Sequence, residues 1–238
     1  MRIWTSLERL LHRRREIDAQ IALGQGLGAL WRDFAILIVA GASAYGAVLG
    51  MWRWPILALY VAIKLPLLLL LTSWFVLLLN WISSRILGAE LSFLQVGVLS
   101  YLAMAVASLI LLALVPVTLL FTYCAPEQSL DARVTHNSLL LMHVGAIGLA
   151  GLAGTRFLWK ALSGLPAAGP RVRSIYAVWL LSFVLVGCQL SWILRPWVGS
   201  VYYDPVFIRA EALDGNFYEF LFADVIPRLL TGRKLYEP

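Results

Sequence analysis

Five long apolar runs lie between Phe34 and Leu194, and Lys64 is the only charged residue inside them. A helix that crosses a bilayer needs about 20 apolar residues, because the hydrocarbon core is about 30 Å thick. The runs are continuous rather than alternating, which favours helices over the strands of a closed barrel. The pattern therefore predicts an all-α, polytopic membrane helical bundle with five transmembrane helices, at residues 34–52, 55–83, 93–123, 138–155 and 175–194.

The second and third runs are longer than a helix perpendicular to the membrane needs. Each of them contains a proline, Pro66 in the second and Pro116 in the third. Long spans fit a bilayer by tilting, and prolines are the usual cause of kinks. We therefore expect these two helices to be tilted or kinked.

The segment 1–33, before the first run, has the pattern of a basic amphipathic helix and a glycine-rich hinge. The sequence Thr5-Ser6-Leu7-Glu8 matches a capping box, which predicts a helix start. Apolar residues recur at helical spacing and arginines follow them. Such a helix suits an anionic membrane surface or the cytoplasmic face of the protein itself, and the pattern leaves both open. The hinge is predicted at Gly24, Gly26 and Gly28.

The tail, residues 195–238, is predicted to lie outside the membrane and to carry a second amphipathic helix. Pro196 disfavours helical geometry in the residue before it, so the fifth helix should end at Arg195. Apolar residues recur at helical spacing from Phe217 to Leu230. The charged residues among them make this segment too polar to span, and we expect an interfacial helix that breaks at Pro227.

Composition supports a membrane protein, and the charge distribution predicts its orientation. The chain is 61% hydrophobic and 13% charged, whereas a soluble domain carries about 25% charged residues. Eleven Lys and Arg residues fall on the N-terminal side of the predicted spans and seven on the opposite side. Cytoplasmic loops are enriched in these residues, which predicts a cytoplasmic N-terminus and an extracytoplasmic C-terminus in the inner membrane. We expect no cleaved signal peptide, since 33 residues precede the first run.

Small residues recur at short spacing in the first and fourth spans, and such residues let helix backbones approach closely. They serve either packing within the bundle or an interface with another subunit. The fourth span is the better candidate for an interface, because its small residues cover more than one face. The glycines concerned are Gly46, Gly50, Gly145, Gly148, Gly151 and Gly154.

Polar side chains within the spans fall at similar depth, in the outer third of the membrane, near the N-terminal ends of the second and fourth spans and the C-terminal ends of the third and fifth. The sequence predicts an outer-leaflet polar cluster, closed by acidic residues of the tail, whose members are Lys64, His143, Gln189 and Arg195. A charge inside a membrane is costly and is usually paired or functional. For Lys64 the alternative is that its long side chain reaches the interface and stays solvated.

Motifs for catalysis or ligand binding are weak. Residues 24–29 match the dinucleotide fingerprint GxGxxA, but no strand precedes them and no acidic residue follows at the required distance. His136, His143 and Cys124 match no metal-site spacing. We therefore expect no catalytic residue, no cofactor, no metal and no nucleic-acid partner, and a chain that is not an enzyme.

The segment Gln189-Leu190-Ser191-Trp192-Ile193-Leu194-Arg195-Pro196-Trp197-Val198-Gly199 carries a resemblance, together with Lys64-Leu65-Pro66 and Pro116. Across roughly residues 34–222 the chain resembles a family of uncharacterised bacterial multi-pass membrane proteins, loosely of the Yip type. The resemblance implies a multi-pass membrane protein and no particular activity. Gln189, Trp192 and Arg195 share one helix face. Arg195 there either binds a lipid phosphate or ties the tail to the bundle, and we favour the second.

Together these features predict an integral membrane subunit or scaffold, embedded in the lipid bilayer, that packs against itself or other membrane subunits through glycine-rich helix faces. The alternative is a transporter or channel for a small solute or lipid, centred on the polar cluster. No internal repeat is visible, which weighs against a transporter built from two inverted halves.

Overall fold

The computed structural model describes residues 2–52, 55–125, 133–195, 206–208 and 210–227. Within these residues the chain is helical, and five helices are long and apolar enough to cross a membrane. This confirms the predicted bundle of five spans with short N-terminal helices. The helices are α1 (Arg2–His12), α2 (Arg14–Leu23), α3 (Leu27–Met51), α4 (Pro55–Ile86), α5 (Phe93–Cys124), α6 (Arg133–Ser163), α7 (Val172–Leu194) and α8 (Phe217–Phe220).

Several helices extend beyond the apolar runs that predicted them. Helix α3 begins at Leu27 rather than at residue 34, and α6 covers 31 residues instead of 18. Backbone hydrogen bonds continue into the flanking turns, where residues such as Leu30 and Leu158 are buried against the rest of the protein. Helices α4 and α5 have 32 residues each and run unbroken through Pro66 and Pro116. At about 1.5 Å per residue, each exceeds the thickness of the hydrocarbon core.

Helix α3 is the central element of the bundle. It packs against α4 and α5, which also contact each other, while α6 packs on α5 and α7 packs on α4. Over the most apolar stretch of each long helix, α3 is the most enclosed by protein and α7 the least. The side chains of Ile38, Tyr45 and Leu49 on α3 have no exposed surface. The two outer helices are thus held by the core of α3, α4 and α5.

Close approach of helix backbones explains why α3 is so deeply enclosed. A Cβ atom added at Gly46 would lie 2.5 Å from the carbonyl oxygen of Val61, and one at Gly50 would lie 2.5 Å from that of Leu57. Gly41 faces the backbone of Ser108 on α5 in the same way. Glycines on both sides of α3 therefore let its backbone contact both neighbours directly.

Helices α1 and α2 pack on one end of the bundle, together with the connections at 87–92 and 164–171, and we call this end the N-terminal face. Ile17 and Ile21 are almost fully buried there. The side-chain amide of Gln95 donates a hydrogen bond of 2.8 Å to the Ile21 carbonyl. Arg14 donates to the Phe157 carbonyl at 3.2 Å. The buried face of α2 therefore packs on the protein itself.

Two helix starts differ from the sequence prediction. Helix α1 already includes Arg2, so the predicted capping box at Thr5–Glu8 is wrong: these residues lie inside the helix. A capping box occurs instead at the start of α5, where Ser92 accepts from the Gln95 backbone and the Gln95 side chain accepts from the Ser92 backbone.

Between α2 and α3, Gly24 and Gly26 have φ angles of +68° and +63°. These left-handed conformations favour glycine and form the turn predicted as a hinge.

At the opposite end, which we call the C-terminal face, α7 ends as predicted before Pro196, with Arg195 in the left-handed region. Within the described part of the tail, Asn216 caps α8 by accepting a hydrogen bond from the backbone N–H of Glu219. A π-helical turn, Leu221–Val225, follows α8. Residues 228–230 of the predicted tail helix lie outside the described residues.

The substitution Gly46→Ala should destabilise the bundle by about 1–3 kcal/mol, because the added methyl group forces the backbones of α3 and α4 apart. Thermal unfolding of the purified protein in detergent measures this effect. The matched control is Gly28→Ala in the same helix, where an added Cβ meets no atom within 4 Å. Equal loss of stability in both variants would contradict close packing at Gly46.

Candidate functional site

A buried polar pair joins the central helix to an outer one. The hydroxyl oxygen of Tyr45 on α3 lies 2.8 Å from Nδ1 of His143 on α6. The two rings meet edge to face, with centroids 5.5 Å apart. Tyr45 is fully buried and His143 is 2% exposed. Sequence analysis singled out His143 but missed Tyr45. The sequence offers one indication of its role: Tyr45 lies within an apolar run, and a buried tyrosine hydroxyl usually has a hydrogen-bond partner.

Lys64 lies beneath the tail at the C-terminal face. Its Nζ atom is 5.3 Å from the centre of the Phe207 ring, a cation–π distance. Tyr60, one helical turn earlier on α4, meets the same ring edge to face at 5.3 Å. The lysine is only 4% exposed. Phe207 therefore helps to cover Lys64 and gives the charge a favourable aromatic neighbour.

Helix α7 supplies a second docking surface for the tail. The side-chain oxygen of Gln189 accepts a hydrogen bond of 3.1 Å from the backbone N–H of Phe217, at the start of α8. The hydroxyl of Tyr218 donates to the carbonyl of Leu185. Burial raises the pKa of this hydroxyl, and the nearby Cys188 thiol adds to the rise, so the hydroxyl stays protonated as a donor. These contacts fasten α8 along the last turns of α7.

Trp192 and Arg195 extend this surface to the end of α7. The ring of Phe220 lies 5.1 Å from that of Trp192. The guanidinium carbon of Arg195 lies 4.5 Å from the centre of the Trp192 ring. The Nε atom of Arg195 also donates a hydrogen bond of 3.1 Å to the Trp192 carbonyl. Arg195 has a φ of 42°, and among the described residues it is the only one other than glycine with a positive φ. Its conformation turns the side chain back over Trp192.

The contacts described for the four residues of the predicted polar cluster run to different neighbours. His143 meets Tyr45 on α3, Lys64 and Gln189 meet the tail, and Arg195 meets Trp192. Three of the four thus belong to the surface that receives the tail, whereas His143 belongs to the α3–α6 contact. A single cluster of all four stays a prediction. These contacts join α3 to α6 and the tail to α4 and α7.

A polar layer between α4 and α7 was not anticipated from the sequence. The indole nitrogen of the fully buried Trp179 donates to the Asn80 carbonyl at 3.1 Å and to the Ser84 hydroxyl at 3.0 Å. The hydroxyl of Ser182 donates to the side-chain oxygen of Asn80 at 2.5 Å. Asn80 is fully buried, and its side-chain nitrogen has no hydrogen-bond partner in the described part of the chain. This layer fixes α7 on α4 near the N-terminal face.

The glycines of α6 divide into two groups. A Cβ added at Gly154 would lie 2.5 Å from the Ala103 carbonyl oxygen on α5, so this glycine is enclosed. At Gly145, Gly148 and Gly151 an added Cβ would meet no atom within 4 Å in the part of the chain that the structure describes. The neighbouring Leu141 and Leu152 are about 70% exposed (72% and 70%). We call the surface of Leu141, Gly145, Gly148, Gly151 and Leu152 the open face of α6.

Metal binding finds no support in the described residues, among which no three His, Cys, Asp or Glu side chains come together as a metal site requires. His136 instead lies beside Trp52, with ring centroids 6.0 Å apart. Comparison with protein-family models, curated proteins and solved structures finds no match for this chain. Any function must therefore be inferred from the contacts themselves.

Tyr45 and His143 should show a coupling free energy of about 0.6–1.7 kcal/mol, the range for hydrogen bonds between membrane helices. A double-mutant cycle of Tyr45→Phe, His143→Leu and the double variant measures it by unfolding in detergent. Each single change leaves a buried polar atom unpaired, so the double variant should be more stable than the two single losses predict. Strict additivity would mean that the pair contributes no coupling.

The substitution Gln189→Leu should expose the backbone amide of Phe217, whose hydrogen exchange should become about five- to tenfold faster, as expected for a lost bond of about 1 kcal/mol. Hydrogen exchange followed by mass spectrometry of tail peptides measures this. Asn216→Ala is the matched control, because it removes the hydrogen bond to the Glu219 amide and leaves the Gln189 bond in place. Unchanged exchange at Phe217 in Gln189→Leu would contradict docking through Gln189.

Proposed function

We propose that this chain is a non-enzymatic integral membrane subunit or scaffold that assembles through the open face of α6. The observation that carries the proposal is the contrast among its glycines. Gly46, Gly50 and Gly154 each lie against a neighbouring backbone, whereas a Cβ added at Gly145, Gly148 or Gly151 would meet no atom of the described residues within 4 Å. Glycines at short spacing are thus enclosed in α3 and at Gly154, but they are open at Gly145, Gly148 and Gly151.

Membrane physics supports a partner on the open face. Lipid tails are as apolar as leucine, so helices associate through close packing rather than hydrophobic gain, and small residues favour that packing. A glycine in a helix costs about 1 kcal/mol relative to alanine. Three glycines on a face without a neighbour therefore weaken α6 unless another helix packs there. The partner is a second copy of this chain or a helix of another membrane subunit.

We infer that the protein resides in the inner, cytoplasmic membrane with its N-terminus in the cytoplasm. The support is the excess of Lys and Arg on the N-terminal side, eleven against seven. An odd number of spans then puts the tail on the extracytoplasmic side. In this orientation the docked tail covers Lys64 from the outside.

A transporter or channel is the second candidate, and the burial of Lys64 is the observation in its favour, because charges inside membranes often mark pathways. The contacts of Lys64 and Gln189 with the tail favour a supporting role over a pathway. A supporting role means that Lys64→Met alters tail docking and leaves assembly intact. A pathway means that the same variant abolishes flux in reconstituted vesicles.

The substitution Gly148→Leu should dissociate the assembly and leave the fold of the single chain intact, because the new side chain blocks a helix from the open face. Light scattering after size-exclusion chromatography in mild detergent measures the mass, and thermal unfolding checks the fold. Val184→Leu is the matched control, an enlargement at a 59% exposed position of α7. A wild-type protein that is monomeric and brings no partner with it would refute the proposal.

A further inference from the structure

A groove between α6 and α7 opens at the N-terminal face. Its volume is about 530 Å³, within the range of about 300–1,000 Å³ of ordinary ligand sites. Six residues of the two helices line it: Leu152, Thr155, Arg156, Trp159, Arg173 and Tyr176. The groove lies apart from the tail-docking surface and from the Tyr45–His143 pair, and neither of those accounts for it.

The walls of the groove are joined by aromatic contacts. The hydroxyl of Tyr176 on α7 donates a hydrogen bond of 3.1 Å to the Thr155 carbonyl on α6. The rings of Trp159 and Tyr176 meet edge to face, with centroids 5.2 Å apart. These contacts hold the two helices at a set separation, so the groove is preformed rather than a gap between independent helices.

Two arginines line the groove without a counter-charge. Arg9, Arg13, Arg14 and Arg32 on the same face each lie within 4 Å of a carboxylate, from Asp33, Glu16 or Asp18. Arg156 and Arg173 form no ion pair with any residue that the structure describes, as is also true of Arg15, Arg85 and Lys160 on this face, but these two line one groove. Helix α7 begins beside them at Val172, and its N-cap residue makes no side-chain hydrogen bond to the first turn. The positive end of the helix dipole therefore adds to the attraction for an anion.

The position of the groove indicates the chemistry of the ligand that would fit it. Arg156 directly follows the predicted apolar run of α6, and Arg173 lies two residues before that of α7, which favours a position for both near the boundary of the hydrocarbon core. Leu152, one turn deeper, is 70% exposed and continues the groove into the apolar layer. Trp and Tyr are the residues that favour this boundary. The ligand must then carry an anionic group at the interface and an apolar chain below it.

We propose that the groove binds an anionic phospholipid, with the headgroup phosphate between Arg156 and Arg173 and an acyl chain along Leu152. Arginine forms paired hydrogen bonds to phosphate, and basic pockets between membrane helices are suited to anionic headgroups. The groove shares Leu152 with the open face of α6, but the arginines that would hold the headgroup, Arg156 and Arg173, are not among the residues of that face. A lipid here seals the space between two helices that otherwise meet mainly through Tyr176.

Native mass spectrometry of the full chain in detergent tests the proposal, with phosphatidylglycerol as the probe and phosphatidylcholine of the same acyl chains as the comparison. Wild type should bind phosphatidylglycerol about tenfold more tightly. The double variant R156Q/R173Q should lose about tenfold in this affinity, since two charges near an anionic headgroup are removed. The double variant R85Q/K160Q removes two exposed charges near the same face from outside the groove, and it should stay within about twofold of wild type.

Three results would overturn the proposal: equal binding of the two lipids, equal loss in both double variants, or displacement of the lipid by millimolar inorganic phosphate. The last would assign the groove to free phosphate instead. The double variant R156K/R173K keeps both charges and removes the planar fork of arginine. It should bind with intermediate affinity, and it provides the comparison if R156Q/R173Q does not fold. Affinity equal to wild type in R156K/R173K would contradict paired hydrogen bonding to the phosphate.

Discussion

The close contact between the backbone of α3 and those of α4 and α5 is the constraint on which the bundle depends. Lipid provides no hydrophobic force that pushes membrane helices together, so van der Waals contact has to hold them. Gly41, Gly46 and Gly50 allow that contact along α3. Helices α6 and α7 pack mainly on α5 and α4, and α6 also reaches α3 through the Tyr45–His143 pair. A change that separates α3 from its neighbours would therefore disturb the support for both outer helices.

Buried polar groups in this protein are used to attach its outer parts. The Tyr45–His143 pair fastens α6 to the core, and the layer of Asn80, Ser84, Trp179 and Ser182 fastens α7 to α4. Lys64 and Gln189 receive the tail. An unpaired polar group in lipid costs several kcal/mol. The helices and the tail are therefore favoured in positions that keep these polar groups paired. Most of the buried polar contacts described therefore join one element of the structure to another.

The apolar runs were enough to predict the number and class of the long helices, because a bilayer admits few alternatives to a helix of that length. The ends of the helices were harder to predict. Backbone hydrogen bonding continued from the first apolar run back to Leu27, and the motif at Thr5–Glu8 fell within a helix. Sequence analysis also grouped His143 with Lys64 and Gln189, which lie at a similar depth. The hydrogen-bond partner that the structure gives His143 is Tyr45 on α3. Depth can be counted along the chain, but rotation about each helix axis cannot.

The glycines of α6 also show that the sequence does not give the rotation of a helix about its axis. Gly145, Gly148, Gly151 and Gly154 follow one another at three-residue spacing, and each step of three turns about 300° around a helix with 3.6 residues per turn. The four therefore move gradually around the helix, and Gly154 comes to face α5 while Gly148 faces outwards. The sequence by itself determined that this chain is a five-helix membrane bundle, since run length and charge depend only on the order of residues. Which polar group meets which, which glycines are enclosed, and where two arginines line a groove were decided by tertiary packing, because helix rotation and neighbour choice depend on contacts between distant segments.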